Sequence, residues 1–245
     1  MKLVFFHIPK TGGSSVSKVL EQKCQGLWLK NAHLNQLSQK EFVSNDYFSG
    51  HFTRQEFMAW ASQNEIQLNA VKFLTVIRHP LDQLLSNLSF PYELASREYP
   101  VSEPWMKDML LANPFSAEEI ARVLADHPWI LNLQWQYLVT GSDLRSTMAE
   151  VDKIVVFPQV GMAIDYVSSV MQIDAPNLVV HENPAQKFIE KTVFSENPLR
   201  EIIVNQHALD IHLYNEVVKP LLNSYGFFDG LPASPESFLD HWLSC

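Results

Sequence analysis

Apolar residues in this chain gather in short runs separated by polar breaks. Leu3–His7 (LVFFH) is almost continuously apolar, the pattern of a strand covered on both faces of a parallel sheet. The run stops at Ile8-Pro9. Lys10-Thr11-Gly12-Gly13-Ser14-Ser15 follows, and Val16, Val19 and Leu20 then recur at helical spacing. Strand, glycine-bearing loop and helix form the opening of a βαβ unit. Asn45–Phe52 reads as a second strand, with a helix from Arg54 to about Ser62. Val71–Ile77 (VKFLTVI) is the clearest inner strand. It ends at Arg78-His79-Pro80, after which Leu81, Leu84, Leu85 and Leu88 mark one face of a helix.

From Phe90 to Phe115 the periodicity breaks. Pro91, Pro100, Pro104 and Pro114, with Tyr92, Tyr99 and Trp105 among them, predict a long irregular segment. Loops of that length inside compact domains usually act as lids or binding loops, so residues 90–115 are expected to form an acceptor-side lid. Helical spacing returns over Ala117–Ala125 and Trp129–Leu138. Lys153–Phe157 and Asn177–His181 read as strands, with a helix over Met162–Met171 between them. A long helix opening near Pro198 is expected to run through Leu213 and Tyr214 towards Val218, with Pro220 ending or kinking it. The alternation predicts one α/β domain over residues 1–245: three αβα layers around a mainly parallel sheet.

Composition narrows the function. With 245 residues, 47% of them apolar and 18% charged, the chain suits a packed globular core and excludes disordered or fibrous classes. A net charge of −9 argues against a protein that coats nucleic acid by counterion release. Cys24 and Cys245 are too few for a disulfide framework or a thiolate zinc site, which suits a reducing compartment. No run approaches the eighteen or so apolar residues of a membrane span. The opening MKLVFFHIPK is too short in apolar residues for a secretory signal. A soluble, cytoplasmic protein is the expectation.

The candidate chemistry begins at Lys10–Ser15. Two glycines allow close backbone approach, the next helix offers unpaired N–H groups and its positive end, and Lys10, Thr11, Ser14 and Ser15 add a charge and hydroxyls. That is an anion cradle. It differs from the GxxxxGK[ST] loop, because Lys10 precedes both glycines instead of following the last one.

FFHIPKTGGSS resembles the 5′-phosphosulfate loop of sulfotransferases that use 3′-phosphoadenosine 5′-phosphosulfate (PAPS), closest to the carbohydrate branch that includes heparan 2-O-sulfotransferase and its bacterial relatives. That family pairs the loop with an Arg ending a later strand and a Ser on the next helix. VIRHPLDQLLSNLSF supplies them as Arg78 and, eight residues on, Ser86. The resemblance implies a P-loop-like sulfotransferase fold with PAPS as sulfate donor and no metal. It implies that Lys10, Thr11, Gly12, Gly13, Ser14 and Ser15 hold the 5′-phosphosulfate, and that Arg78 and Ser86 hold the 3′-phosphate. A fainter likeness at Asn132-Leu133-Gln134 and His181-Glu182-Asn183 points to segments near the acceptor or the adenine. Members of the family in the Golgi carry a membrane anchor before the loop. This chain opens one strand ahead of it, so a soluble bacterial type is expected.

Sulfuryl transfer needs a base for the acceptor hydroxyl and charge stabilisation of the leaving oxygen. Lys10 is the candidate for the second task. By resemblance His51, in a Gly-His pair at a strand end, is the candidate base. Its side-chain type titrates near neutrality. His7, His79, His181 and Glu182 are further candidates, with His79 expected on the nucleotide side. The acceptor is expected to be a neutral sugar or small alcohol, because a chain at −9 attracts polyanions poorly. Trp105 is a candidate for stacking on a sugar face. Two other readings stay open: an ATP–magnesium kinase or nucleotide hydrolase, and a non-catalytic nucleotide-binding protein.

Overall fold

The computed structural model describes residues 1–29, 31–139, 143–174, 188–224, 232 and 234–245. In chain order its elements are β1 (Lys2–Phe6), α1 (Ser14–Lys23), β2 (Gly26–Leu29), α2 (Gln39–Ser44), β3 (Tyr47–Gly50), α3 (Arg54–Gln63), β4 (Val71–Ile77), α4 (Pro80–Ser96) and α5 (Pro104–Leu111). There follow α6 (Ala117–Asp126), α7 (Leu133–Leu138), α8 (Leu144–Glu150), β5 (Lys153–Val156), α9 (Val160–Met171), α10 (Leu199–Gln206), α11 (Ala208–Ser224) and α12 (Pro235–Ser244). The expected strand over Asn177–His181 lies outside the described residues.

The chain divides into two compact units, Met1–Arg78 with Gln134–Glu182 and His79–Leu133 with Asn183–Cys245. The first holds a five-stranded sheet in the order β2-β3-β1-β4-β5, and every pairing is parallel. Alternation along β1 explains its unbroken apolar run. Leu3 and Phe5 pack with Val16, Val19 and Leu20 of α1 and with Val160, Ala163, Ile164 and Val167 of α9. Phe6 points the other way, into rings from Phe52, Phe57 and Phe73 at 5.7–6.2 Å between centroids. Phe42 and Trp60 extend that aromatic layer. Both faces are covered by helices, so neither face of the strand carries polar residues. The predicted α/β architecture with a parallel sheet is what the unit shows.

Strand order also marks where open α/β sheets generally bind ligands. β1 is the inner strand from which the sheet grows in both directions, and crevices at such reversal points, beyond the carboxyl ends of the strands, are where open α/β sheets bind ligands. The Lys10 loop leaves from that end.

The second unit is helical among its described residues, with a core that includes Leu81, Leu84, Leu88, Ile120, Leu124, Phe194, Ile203 and Leu239. Here the structure corrects two expectations. The segment read as irregular is largely helix: α4 continues to Ser96 with Pro91 inside it, and Pro104 opens α5 as an N-terminal proline. Tyr92 donates its hydroxyl proton to the carbonyls that end α5, at Met109 and Ala112. The helix expected to run unbroken from Pro198 is two helices, parted at His207. Asn132, with φ +55°, fixes the break: its Oδ1 accepts from the N–H groups of Leu209 and Asp210 at 3.1 Å, and its own N–H donates to His207 Nδ1 at 3.1 Å. Pro220 sits inside α11 and does not end it.

Candidate functional site

The Lys10 loop, His51 and Arg78 of the first-unit site each follow the carboxyl end of a strand. His7 follows β1, and its N–H donates to the Gly50 carbonyl at 3.1 Å, prolonging the β1–β3 ladder. The chain then turns. Lys10 adopts φ +64°, which costs a side-chain-bearing residue about 1–2 kcal/mol, and Gly12 adopts φ +91°. The buried Thr11 hydroxyl donates to the Ile8 carbonyl at 3.0 Å. That bond ties the Thr11 side chain to the shape of the loop. A β-carbon on Gly12 would lie 2.6 Å from the Phe157 ring, and one on Gly13 would lie 2.4 Å from the His7 ring. Gly13→Ala is therefore expected to cost about 1–3 kcal/mol of stability, read as a lower urea midpoint, because His7 is walled in and cannot give way.

The helix that follows is open at its start. Gly13 supplies no capping side chain, and the first turn of α1 carries no acidic residue. Ser14 is exposed and Ser15 half-buried. The first N–H groups of a ten-residue helix thus point out beside Lys10, a favourable place for an anion.

Arg78, at the end of β4, comes to the same mouth. Its N–H donates to Gln134 Oε1 at 2.7 Å, its guanidinium lies 4.8 Å from the Phe157 ring centroid, and Nη1 donates to the Lys10 carbonyl at 3.3 Å. The Arg fork and the Lys10 loop, which the sequence could only place on separate strands, are joined. Gln134 is the support that the sequence signalled only faintly. Asn132, from the same tripeptide, lies in the second unit and is spent on the α10–α11 break. Ser86, also of the second unit, is buried on α4.

His51 follows β3. Its N–H donates to the Leu29 carbonyl at 3.1 Å, and its half-buried ring lies 5.1 Å from His7 and 5.3 Å from Trp28, centroid to centroid. His7 in turn abuts Gly13, so His51 is tied to the start of α1 through one intervening ring. Burial, helped by the charge of His51, pushes the His7 pKa down to about 3. His7 is therefore a neutral spacer at working pH. Its Nδ1 has no hydrogen-bond partner among the described residues. Trp28 was missed by the sequence reading. The four-residue GLWL run that carries it is weak as a strand signal, and its aromatic setting exists only once β2 pairs with β3.

Two other candidates take core roles. His79 is stacked 4.7 Å from Phe238 and 6.5 Å from Trp242, with Tyr214 edge-on at 5.3 Å, so it serves the packing of the second unit. Trp105 is 3% exposed and edge-on to Trp129 at 6.0 Å, and it presents no face to a sugar. His181, Glu182 and Asn183 lie outside the described residues. No group of three or more His, Cys, Asp or Glu suited to a metal lies together among the described residues, and no described helix is long and apolar enough to cross a membrane.

Residues 1–97 match the model of the sulfotransferase family. That stretch contains the whole Lys10 loop, His51, Arg78 and Ser86. A crystal structure of a mouse sulfotransferase complexed with PAP, the desulfated form of PAPS, aligns with 91% of this chain and 88% of its own, at 11% identity and a TM-score of 0.40. No curated protein matches the chain.

The buried histidines give a prediction independent of ligand. Burial lowers His207 to about 4, as it lowers His7 to about 3, against 6.5 for the free side chain. The unfolded chain then takes up protons near pH 6.5 that the folded chain refuses. The stability from these neutral rings is complete above pH 6.5 and is lost as pH falls towards 4, at up to ~1.4 kcal/mol per pH unit for each group. Urea midpoints measured from pH 7.5 down to 4.5 should fall across that window.

Proposed function

We propose that this chain transfers the sulfuryl group of PAPS to a hydroxyl of a carbohydrate or small alcohol. The observation that carries this reading is the meeting of the Arg78 guanidinium, the backbone of the loop that bears Lys10 and an uncapped helix start at one strand-end mouth. Arg78 hydrogen-bonds the loop that bears Lys10, and α1 opens within that loop. A donor with two separate anionic groups suits such a mouth. The family match over the same residues supports the choice of sulfuryl over phosphoryl chemistry.

The steps follow from charge. The N–H groups at the start of α1 and the hydroxyls of Ser14 and Ser15 hold the 5′-phosphosulfate, while the planar Arg78 fork takes the 3′-phosphate. The acceptor oxygen attacks sulfur in line, the bond from sulfur to the bridging oxygen breaks, and the electron pair stays on the 5′-phosphate. The Lys10 ammonium stabilises that growing charge. His51 takes the acceptor's proton, and the neutral His7 beside it adds no opposing charge.

The test is transfer of ³⁵S from labelled PAPS to a panel of p-nitrophenyl glycosides and simple alcohols, without added metal. Labelled ester on at least one acceptor supports the proposal. Its absence across the panel, with ³²P transfer from labelled ATP and magnesium in its place, contradicts it.

A further inference from the structure

Trp28 has no part in the steps above, yet its ring closes a triangle around the proposed base. The indole lies 5.3 Å from His51 at 72° and 5.0 Å from His7 at 73°, and His7 and His51 are 5.1 Å apart at 66°. Each pair is close to edge-on, so each ring restricts the swing of the other two. Two sides of the triangle are anchored. His7 is 7% exposed, stacked on Phe5 at 5.5 Å and 12°, with Gly13 against its edge. Trp28 is held in register by the parallel pairing of β2 with β3, opposite Ser49. The backbone of His51 is pinned by its bond to Leu29 at 3.1 Å, so the neighbouring rings act on a side chain whose root is fixed.

We propose that Trp28 is a positioning residue for His51, fixing the plane of the imidazole that receives the acceptor's proton. This rests on the reading of His51 as the base. A flat, stiff ring is suited to the task, because an aliphatic side chain of similar reach fills space without fixing the angle of its neighbour. Misplacing a reacting group by about 1 Å costs on the order of 100-fold in rate, so the orientation of the base carries a large share of turnover.

The test uses the full chain with Trp28→Leu, which keeps apolar bulk without the plane, and Trp28→Phe, which restores a smaller plane. Three quantities are read: kcat for ³⁵S transfer to the best p-nitrophenyl glycoside, the Kd for PAP, and the ¹H–¹⁵N ring signals of His51 recorded without ligand. Trp28→Leu is expected to lower kcat about 10- to 100-fold, to leave the PAP Kd within about threefold, and to broaden or double the His51 signals. Trp28→Phe should recover most of the rate and a single set of signals. A Trp28→Leu protein with unchanged kcat and unchanged His51 signals overturns the proposal, as does one whose PAP affinity falls by the same factor as kcat. Should the wild type neither bind PAP nor transfer sulfur, sulfuryl transfer itself fails, while the ring signals of the two variants still decide whether Trp28 orients His51.

Discussion

Replacing Lys10 by glycine is expected to lower sulfuryl transfer by about 10²–10³-fold while leaving the fold as stable as before or slightly more so. The two halves of this expectation have separate causes. Lys10 stands at φ +64°, a conformation that glycine adopts freely and lysine does not, so the substitution relieves local strain. The Thr11–Ile8 bond and the glycines that shape the turn stay in place. What disappears is one ammonium on the loop that leads into α1, the charge proposed to meet the leaving oxygen. Lys10→Ala keeps the strain and loses the charge, so it should be as slow as Lys10→Gly and less stable. A Lys10→Gly enzyme within threefold of wild type would show that the bridging oxygen leaves without help from Lys10.

His51→Ala should reduce turnover by about 10²–10⁴-fold, the usual worth of a general base, with PAP affinity little changed. The ring is half-buried at the surface of the first unit, so its removal costs less structure than removal of His7 would. His51→Gln keeps a polar group of similar reach that cannot accept the proton, and it should be as slow as the alanine variant. Turnover within threefold of wild type in either variant would remove His51 from the role. An unchanged kcat with a weakened PAP Kd would instead place it on the donor.

The parallel sheet was readable because its inner strands are covered on both faces. Where Phe5 meets α1 and α9 and Phe6 meets the aromatic layer, no position is left for a polar residue, and an unbroken apolar run follows. β2 escaped notice for the opposite reason: it is a four-residue edge strand with three half-buried positions, so little of its sequence is constrained. Prolines misled the reading of residues 90–115. Pro91 inside α4 and Pro104 at the start of α5 read as breakers in one dimension, whereas α4 runs on through the first and a helix start favours the second. The break at His207 has no local signal, since apolar spacing runs through it and the bonds that hold it come from Asn132, 75 residues away.

At the site, the Lys10–Ser15 loop announced itself through residue types whose uses are few: two glycines, a lysine and hydroxyls before a helix. The bond from the Thr11 hydroxyl to Ile8, the Arg78 contact with the loop carbonyl and the triangle around His51 are products of tertiary placement. No spacing in the chain encodes them.

The central claim is that one mouth, built from the Lys10 loop and Arg78, grips a nucleotide bearing phosphate at both its 3′ and 5′ positions. Isothermal titration of the full chain with PAP in the presence of EDTA tests it most directly. The account predicts saturable one-site binding that Arg78→Ala weakens by about 10- to 100-fold, the loss expected for a hydrogen bond to a charged group. No binding of PAP, or binding of ATP that appears only when magnesium is added, would contradict it.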